Sequence, residues 1–219
     1  MEYILTILPS MVEGLKVTIL LFVLTLGLSL PLGLPFALGS NSKLWPLKAF
    51  CKAYIFIFRG TPLLLQLFFF YYFLPISFDI GFDPFTTGVI TFVLNYAAYL
   101  AEIYRGGING IDKGQYEAAH ALGLSRSQTL FGVIIPQTVR VVLPSISNEA
   151  IVLVKDTALI SSITVMELLK SAKGAVNRDG SVTAYIVAAV LYLLLTFALT
   201  LVSNRIEKKY SKHTEQEAA

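Results

Sequence analysis

The sequence predicts an all-α membrane protein with five transmembrane helices and a short cytoplasmic helix between the third and fourth. Three observations lead there. Of 219 residues, 55% are apolar and only 14% are charged, whereas soluble domains are about a quarter charged. The apolar residues gather in five runs, at 12–38, 50–75, 86–104, 130–154 and 182–203, and a bilayer-spanning helix needs about 20 such residues. Lys and Arg fall between these runs and form no single basic face, so the net charge of +3 reads as membrane topology and excludes a nucleic-acid partner.

The first run follows Glu2, an acid where a secretory signal is basic, and it outlasts a signal core; it is expected to stay as the first helix. Gly27, Pro31, Gly33 and Pro35 interrupt it and predict a bend, with neighbouring helices satisfying the freed backbone groups. The fourth run is the most polar, carrying Gln137, Arg140, Asn148 and Glu149 beside Pro136 and Pro144. That side is expected to face protein or a wet cavity.

Orientation follows from the bases. Lys43, Lys48 and Lys52, then Arg105, Lys113 and Arg126, then Arg205, Lys208, Lys209 and Lys212 mark three cytoplasmic segments. The string FDIGFDPF near residue 80 has acids and no base, which suits the outside. Five spans then put the N-terminus out and the C-terminus in. One stretch conflicts: 155–181 lies outside in this scheme yet carries Lys155, Lys170, Lys173 and Arg178, offset in part by Asp156, Glu167 and Asp179. The absence of an internal repeat disfavours secondary transporters built from repeated halves. The chain reads as one domain, 1–219, and two such small bundles enclose a polar pathway more readily than one, so a dimer is expected. Cys51 has no disulfide partner and no metal-ligand spacing. Neither His120 nor His213 has an acid-base or nucleophile partner in the sequence, so no cofactor or metal is expected in this chain.

The loop 106–129 is the most informative. Within DKGQYEAAHALGLSRSQTLFGVIIP, residues 115–122 suit a short helix with small residues at Ala118, Ala119 and Ala121, stopped at Gly123. An ordinary interfacial helix has the same features. However, Glu117, Ala118 and Ala119, then Gly123, then Val133, Ile134, Ile135 and Pro136 resemble the EAA loop of permease subunits of binding-protein-dependent ABC importers. Val133 and Ile135 stand where that family tends to have Ile and Leu. Two further strings are similar to the polar amino-acid subfamily: Arg59-Gly60-Thr61-Pro62, with Leu63 to Gln66 following, and the stretch from Asn95 through Tyr99, Glu102 and Arg105 to Gly107. Lys155-Asp156-Thr157-Ala158-Leu159-Ile160-Ser161 resembles the segment after that subfamily's fourth long helix.

The resemblance implies that residues 115–124 form a coupling helix docking on a cytoplasmic ATPase dimer. ATP and Mg would be bound by that partner, since no GxxxxGK[ST] string occurs here. It further implies a second permease subunit, identical or homologous, an extracytoplasmic amino-acid-binding protein, an amino-acid substrate and a bacterial-type cytoplasmic (inner) membrane. A channel or a secondary transporter for a small polar solute is the competing class.

Several residues are candidates for the solute pathway. Asn95, Tyr99 and Glu102 recur at i, i+4 and i+7 and share a helix face; Glu102 also suits a pair with Arg105 at i+3. Thr61 and Gln66 either line a pathway or hydrogen-bond between helices. Glu149 sits inside an apolar run, where an ionisable residue is a functional hypothesis by default. It contacts a cationic substrate, or else Lys155 or Arg140 neutralises it.

Overall fold

The computed structural model describes residues 2–217, with side chains placed through Tyr210. Lys212 and His213 therefore have side chains outside the described residues. Among those residues the secondary structure is helical throughout, with no strand.

Helix α1 (Glu2–Ser40) runs unbroken through Pro9, Pro31 and Pro35 and begins ten residues before the expected span. Its buried stripe is Ile7, Met11, Gly14, Thr18, Leu21, Thr25, Ser29, Gly33 and Ala37, spaced by threes and fours. Small and hydroxyl residues predominate there, while Leu20, Val23, Leu28, Leu34 and Leu38 are exposed. This inside-out pattern is what a bilayer selects: lipid accepts the large aliphatics, and small side chains let helices approach closely. The approach is close at Gly14, where a Cβ would lie 2.9 Å from the Glu167 carbonyl oxygen, and at Gly33, where it would lie 3.1 Å from the Ala97 carbonyl oxygen of α5 (Pro84–Asn109).

Helix α5 is the hub, packed on α1, on α2 (Trp45–Gly60) and on α8 (Ile135–Asp156). Such enclosure allows it to bury Thr87, Thr91 and Asn95. Leu21, Leu67, Phe92, Tyr96, Leu153, Ile160 and Ile163 form the central apolar cluster. A second cluster joins Ile7 and Met11 to α9 (Leu168–Asp179) and α10 (Thr183–Glu217) through Leu168, Ala172, Ala184 and Ala188.

The run 50–75 was expected as one span and is instead two helical arms bent by 106°. The second arm comprises α3 (Leu63–Phe68), a π turn (Phe69–Phe73) and α4 (Leu74–Phe78). Thr61 between the arms is extended, at φ −119° and ψ 144°. Pro62 is the cause, because its ring disfavours helical backbone at the preceding residue and it has no N–H to donate.

Two other prolines follow π turns at the same interval. Pro75 lies two residues after Phe69–Phe73, and Pro136 two residues after Leu130–Ile134, which follows α7 (Arg126–Thr129). A one-residue bulge relieves the clash of each ring with the preceding turn.

Three segments, Glu2–Ser40, Arg126–Ile163 and Thr183–Tyr210, are long and apolar enough to cross a membrane, and the bent pair makes a fourth if counted as one span. The remaining expected span, 86–104, is α5, which has the length but falls short in apolarity because it faces protein on several sides.

Candidate functional site

Breaking the helix at Pro62 leaves the last carbonyls of α2 without intrahelical partners. Side chains fill the gap. Thr61 Oγ1 donates to the Ile57 carbonyl at 2.8 Å. Gln66 Nε2 donates to the Phe58 carbonyl at 2.9 Å, to the Thr61 carbonyl at 3.1 Å and to Thr61 Oγ1 at 2.8 Å. From α5, Asn95 Nδ2 donates to the same Phe58 carbonyl and to Gln66 Oε1, both at 3.0 Å. Three of the sequence's pathway candidates, Thr61, Gln66 and Asn95, thus form one knot that seals a broken helix. Gln66 and Asn95 are buried.

One turn along α5, Tyr99 lies under the Arg59 guanidinium, 5.4 Å from the ring centroid, an attractive cation–π arrangement. Arg59 Nη1 also lies 3.9 Å from Glu102 Oε1. Arg105 grips the same carboxylate through both Nε and Nη2. Asn95, Tyr99 and Glu102 therefore all face the end of α2, as their spacing places them on one side.

Helix α8 supplies two acids. Asp156 accepts from the Tyr96 hydroxyl at 2.7 Å. Glu149, half-buried, makes no hydrogen bond or ion pair among the described residues, and the charges that act on it are Asp156 and Arg59. Seven residues is about two helical turns, so Glu149 and Asp156 share a face, whereas Lys155 points about 120° away and Arg140 about 180° away. Lys155 is exposed and acts on Asp156, not on Glu149. The neutralising partner expected at Lys155 or Arg140 is therefore not found, and the charge that shares the face of Glu149 is Asp156, seven residues on. Tyr96 thus links Asp156 on α8 to Tyr99 on α5, Tyr99 carries Arg59, and Glu149 feels the charges of both Asp156 and Arg59.

The loop helix is α6 (Lys113–Ala121), two residues earlier at its start than the sequence suggested. Asp112 begins it, accepting from the Gly114 N–H at 2.6 Å. Its end is a Schellman closure, with Leu124 N donating to the Ala119 carbonyl at 3.0 Å and Gly123 N to the His120 carbonyl at 2.9 Å. Gly123 adopts φ +72°, the left-handed backbone that closure needs. Ser125 and Gln128 then make a reciprocal capping box that starts α7. On α6, Ala119 is the buried contact, while Glu117, Ala118 and Ala121 are exposed, and Leu122 beyond its end is 79% exposed. A bond of 2.8 Å from Gln137 Nε2 to Gln115 Oε1 ties the helix to α8.

Known proteins share both sequence and fold with this chain. Residues 29–212 match the family described as binding-protein-dependent transport system inner membrane component. The chain is 42% identical over 207 residues to the L-cystine transport system permease protein TcyB of Bacillus subtilis strain 168, covering 94% of this chain and 88% of that protein. It is 36% identical over 203 residues to the glutamine transport system permease protein GlnP of Escherichia coli K12, covering 92% and 93%. It superposes on a crystallised amino acid ABC transporter with histidines at TM-score 0.88 and 34% identity, covering 94% of this chain and 96% of that one. The inward-facing MetNI methionine ABC transporter, at TM-score 0.76 and 19% identity, shares the fold. With a family match across most of its length and the EAA loop folded as an exposed capped helix, the chain belongs to the inner-membrane permease subunits of binding-protein-dependent amino-acid ABC transporters.

Proposed function

We propose that this permease forms half of an ATP-driven import pathway and that Glu149 receives a positively charged group of the amino acid as it passes. The observation that carries the reading is Glu149 itself, a half-buried carboxylate with no hydrogen bond or ion pair among the described residues, sharing its helix face with Asp156. A charge in that setting is costly unless compensated. A cationic amino acid supplies two positive groups, while Arg59 is placed for the carboxylate. Arg, Lys, His or ornithine fits this balance, and the histidines of the similar transporter accord with it. The relatives named for cystine and glutamine favour a second reading, in which Glu149 meets the α-ammonium alone and side-chain charge is irrelevant.

In this reading α1, the bent pair, α5, the segment 126–163 and α10 are five spans, with the N-terminus outside and the C-terminus inside the cytoplasmic membrane. Helix α6 docks on a cytoplasmic ATPase dimer that binds ATP and Mg, a second permease subunit completes the pathway, and an extracytoplasmic binding protein delivers the substrate. The exposed, rigidly capped α6 supports this arrangement.

The test is uptake into sealed vesicles by the complete transporter. Uptake should require ATP and persist when ion gradients are collapsed; a gradient requirement would favour a secondary transporter, and indifference to both a channel. Glu149→Gln should reduce uptake of basic amino acids selectively; equal loss for basic and neutral ones favours the second reading, and no loss for either removes Glu149 from the pathway. Cysteine labelling in a chain lacking Cys51 should reach 40–48 and 77–84 from opposite sides.

A further inference from the structure

We propose that the cleft between α2 and α5, beside the end of α1, holds the headgroup of an anionic phospholipid of the cytoplasmic leaflet. The cleft is open, about 580 Å³ in volume, and is lined by Ser40, Lys52, Phe56, Arg59, Glu102 and Arg105 among others. Three cations against one carboxylate leave it at +2. Glu102 engages both guanidinium groups, which holds them side by side. The Arg105 guanidinium and the exposed Lys52 are donors suited to phosphate oxygens, while Arg59, stacked on Tyr99, adds its charge at the edge of the cleft.

The surroundings decide between a lipid and a passing solute. Helix α2 exposes Trp45 (77%), Phe50 (65%), Phe56 (78%) and Ile57 (55%) beside Lys48 and Lys52. Large apolar side chains next to bases make an amphipathic helix of the kind that lies at a membrane interface. The 106° turn after Gly60 sets α2 across the direction of the apolar arm that follows. Acyl chains can cover the Phe56 side while the phosphate meets the bases, whereas a small hydrophilic solute would leave that apolar surface uncovered. Basic pockets between spans on the cytoplasmic side are a recognised setting for acidic lipid headgroups. The proposal rests on the topology above, which places 40–52 in the cytoplasm.

The chain's single tryptophan, Trp45, opens α2 and reports on it. The full-length permease is placed in phosphatidylcholine vesicles containing either brominated phosphatidylglycerol or brominated phosphatidylcholine, and quenching of Trp45 is followed. Both leaflets have the same composition, so the readout depends on neither orientation nor ATPase, and its failure would leave the transport reading intact. Phosphatidylglycerol should quench preferentially. Lys52→Gln should lower that preference roughly fivefold, the effect of one basic residue near a lipid surface, and Lys52→Glu should abolish it. Lys16→Gln, on the opposite half of α1, should leave it unchanged. Equal quenching by the two lipids, or full preference in both Lys52 variants, overturns the proposal. So does relief of quenching by inorganic phosphate or free amino acid at the same concentration as the lipid, since either would identify a small-anion or solute site.

Discussion

Two polar clusters sit among the apolar helices of this permease, and they differ in what they leave unmade. At the Pro62 break the side-chain amide nitrogens of Gln66 and Asn95 both donate, mostly to backbone carbonyls that the break itself exposed. Across α5, Glu149 makes no hydrogen bond or ion pair among the described residues. The first cluster answers a need created by the fold, whereas the second creates a need that the fold does not answer. Residue type alone does not separate them, because both consist of polar side chains at membrane depth. Satisfaction does: saturated groups stabilise, and unsaturated groups are available to a ligand.

That contrast is tested most severely at Glu149. Glu149→Gln should leave the thermal unfolding midpoint of the purified transporter near wild type while ATP-driven uptake of basic amino acids falls about 30-fold or more, the consequence of removing one member of a desolvated charge pair worth at least about 2 kcal/mol. A large loss of stability with unchanged relative uptake would show that Glu149 is structural, and the two clusters would then be alike.

The knot should respond in the opposite way. Asn95→Leu leaves Gln66 Oε1 without its donor and removes one of two donors to the Phe58 carbonyl. Orphaning a buried acceptor costs about 1–3 kcal/mol. Denaturant unfolding should register that loss, while the ratio of basic to neutral uptake in whatever protein folds stays constant. Replacing both Asn95 and Gln66 by Leu should cost less than the sum of the single changes, because they share partners. A shift in substrate preference at normal stability would place the knot in the pathway.

Much of this was legible in the sequence, and the failures have physical causes. Apolar runs gave the helices, since lipid imposes composition over a fixed length. The α6 loop was readable because Gly123 and the caps around it act locally. The break at Pro62 carried its own signal in Thr61-Pro62, which the high hydrophobicity of 50–75 masked. Side-chain partners between helices were the illegible part: nothing in the local sequence says that Asn95 reaches Phe58 or that Tyr96 reaches Asp156. Glu149 was recognised as unusual, but its charge environment depended on angle around α8.

A smaller effect is expected at the end of α6. No neighbouring atom lies within 4 Å of a Cβ built on Gly123, so a substitution there acts through backbone strain alone. Gly123→Val should cost about 1–2 kcal/mol locally, loosening the Schellman closure. Co-purification of the ATPase and coupled uptake should both decline while the spans insert normally; Gly123→Asn, which tolerates left-handed backbone, should lose less. Unimpaired ATPase binding in the Val variant would separate α6 from docking.

The smallest effect lies on the acidic loop that precedes α5. Asp83 caps that helix, its Oδ1 accepting from the N–H groups of Phe85 at 3.0 Å and Thr86 at 3.1 Å. The hydrogen bond from the Thr86 side chain, followed by the backbone N–H groups, holds this carboxyl below the usual carboxylate range. A group whose folded pKa is depressed stabilises the protein above its unfolded value and loses that contribution as pH falls through the folded one. Wild type should therefore hold its cap at neutral pH and lose it only in acid, at and below the ordinary carboxylate pKa of about 4. Asp83→Asn keeps a capping oxygen without the charge, so its unfolding midpoint should fall less on acidification than that of wild type. Asp83→Ala should start lower at neutral pH and show the same reduced acid dependence. Identical pH profiles in all three proteins would mean that the cap contributes nothing measurable, and that the packing of α5 against α1 and α8 alone fixes where the helix begins.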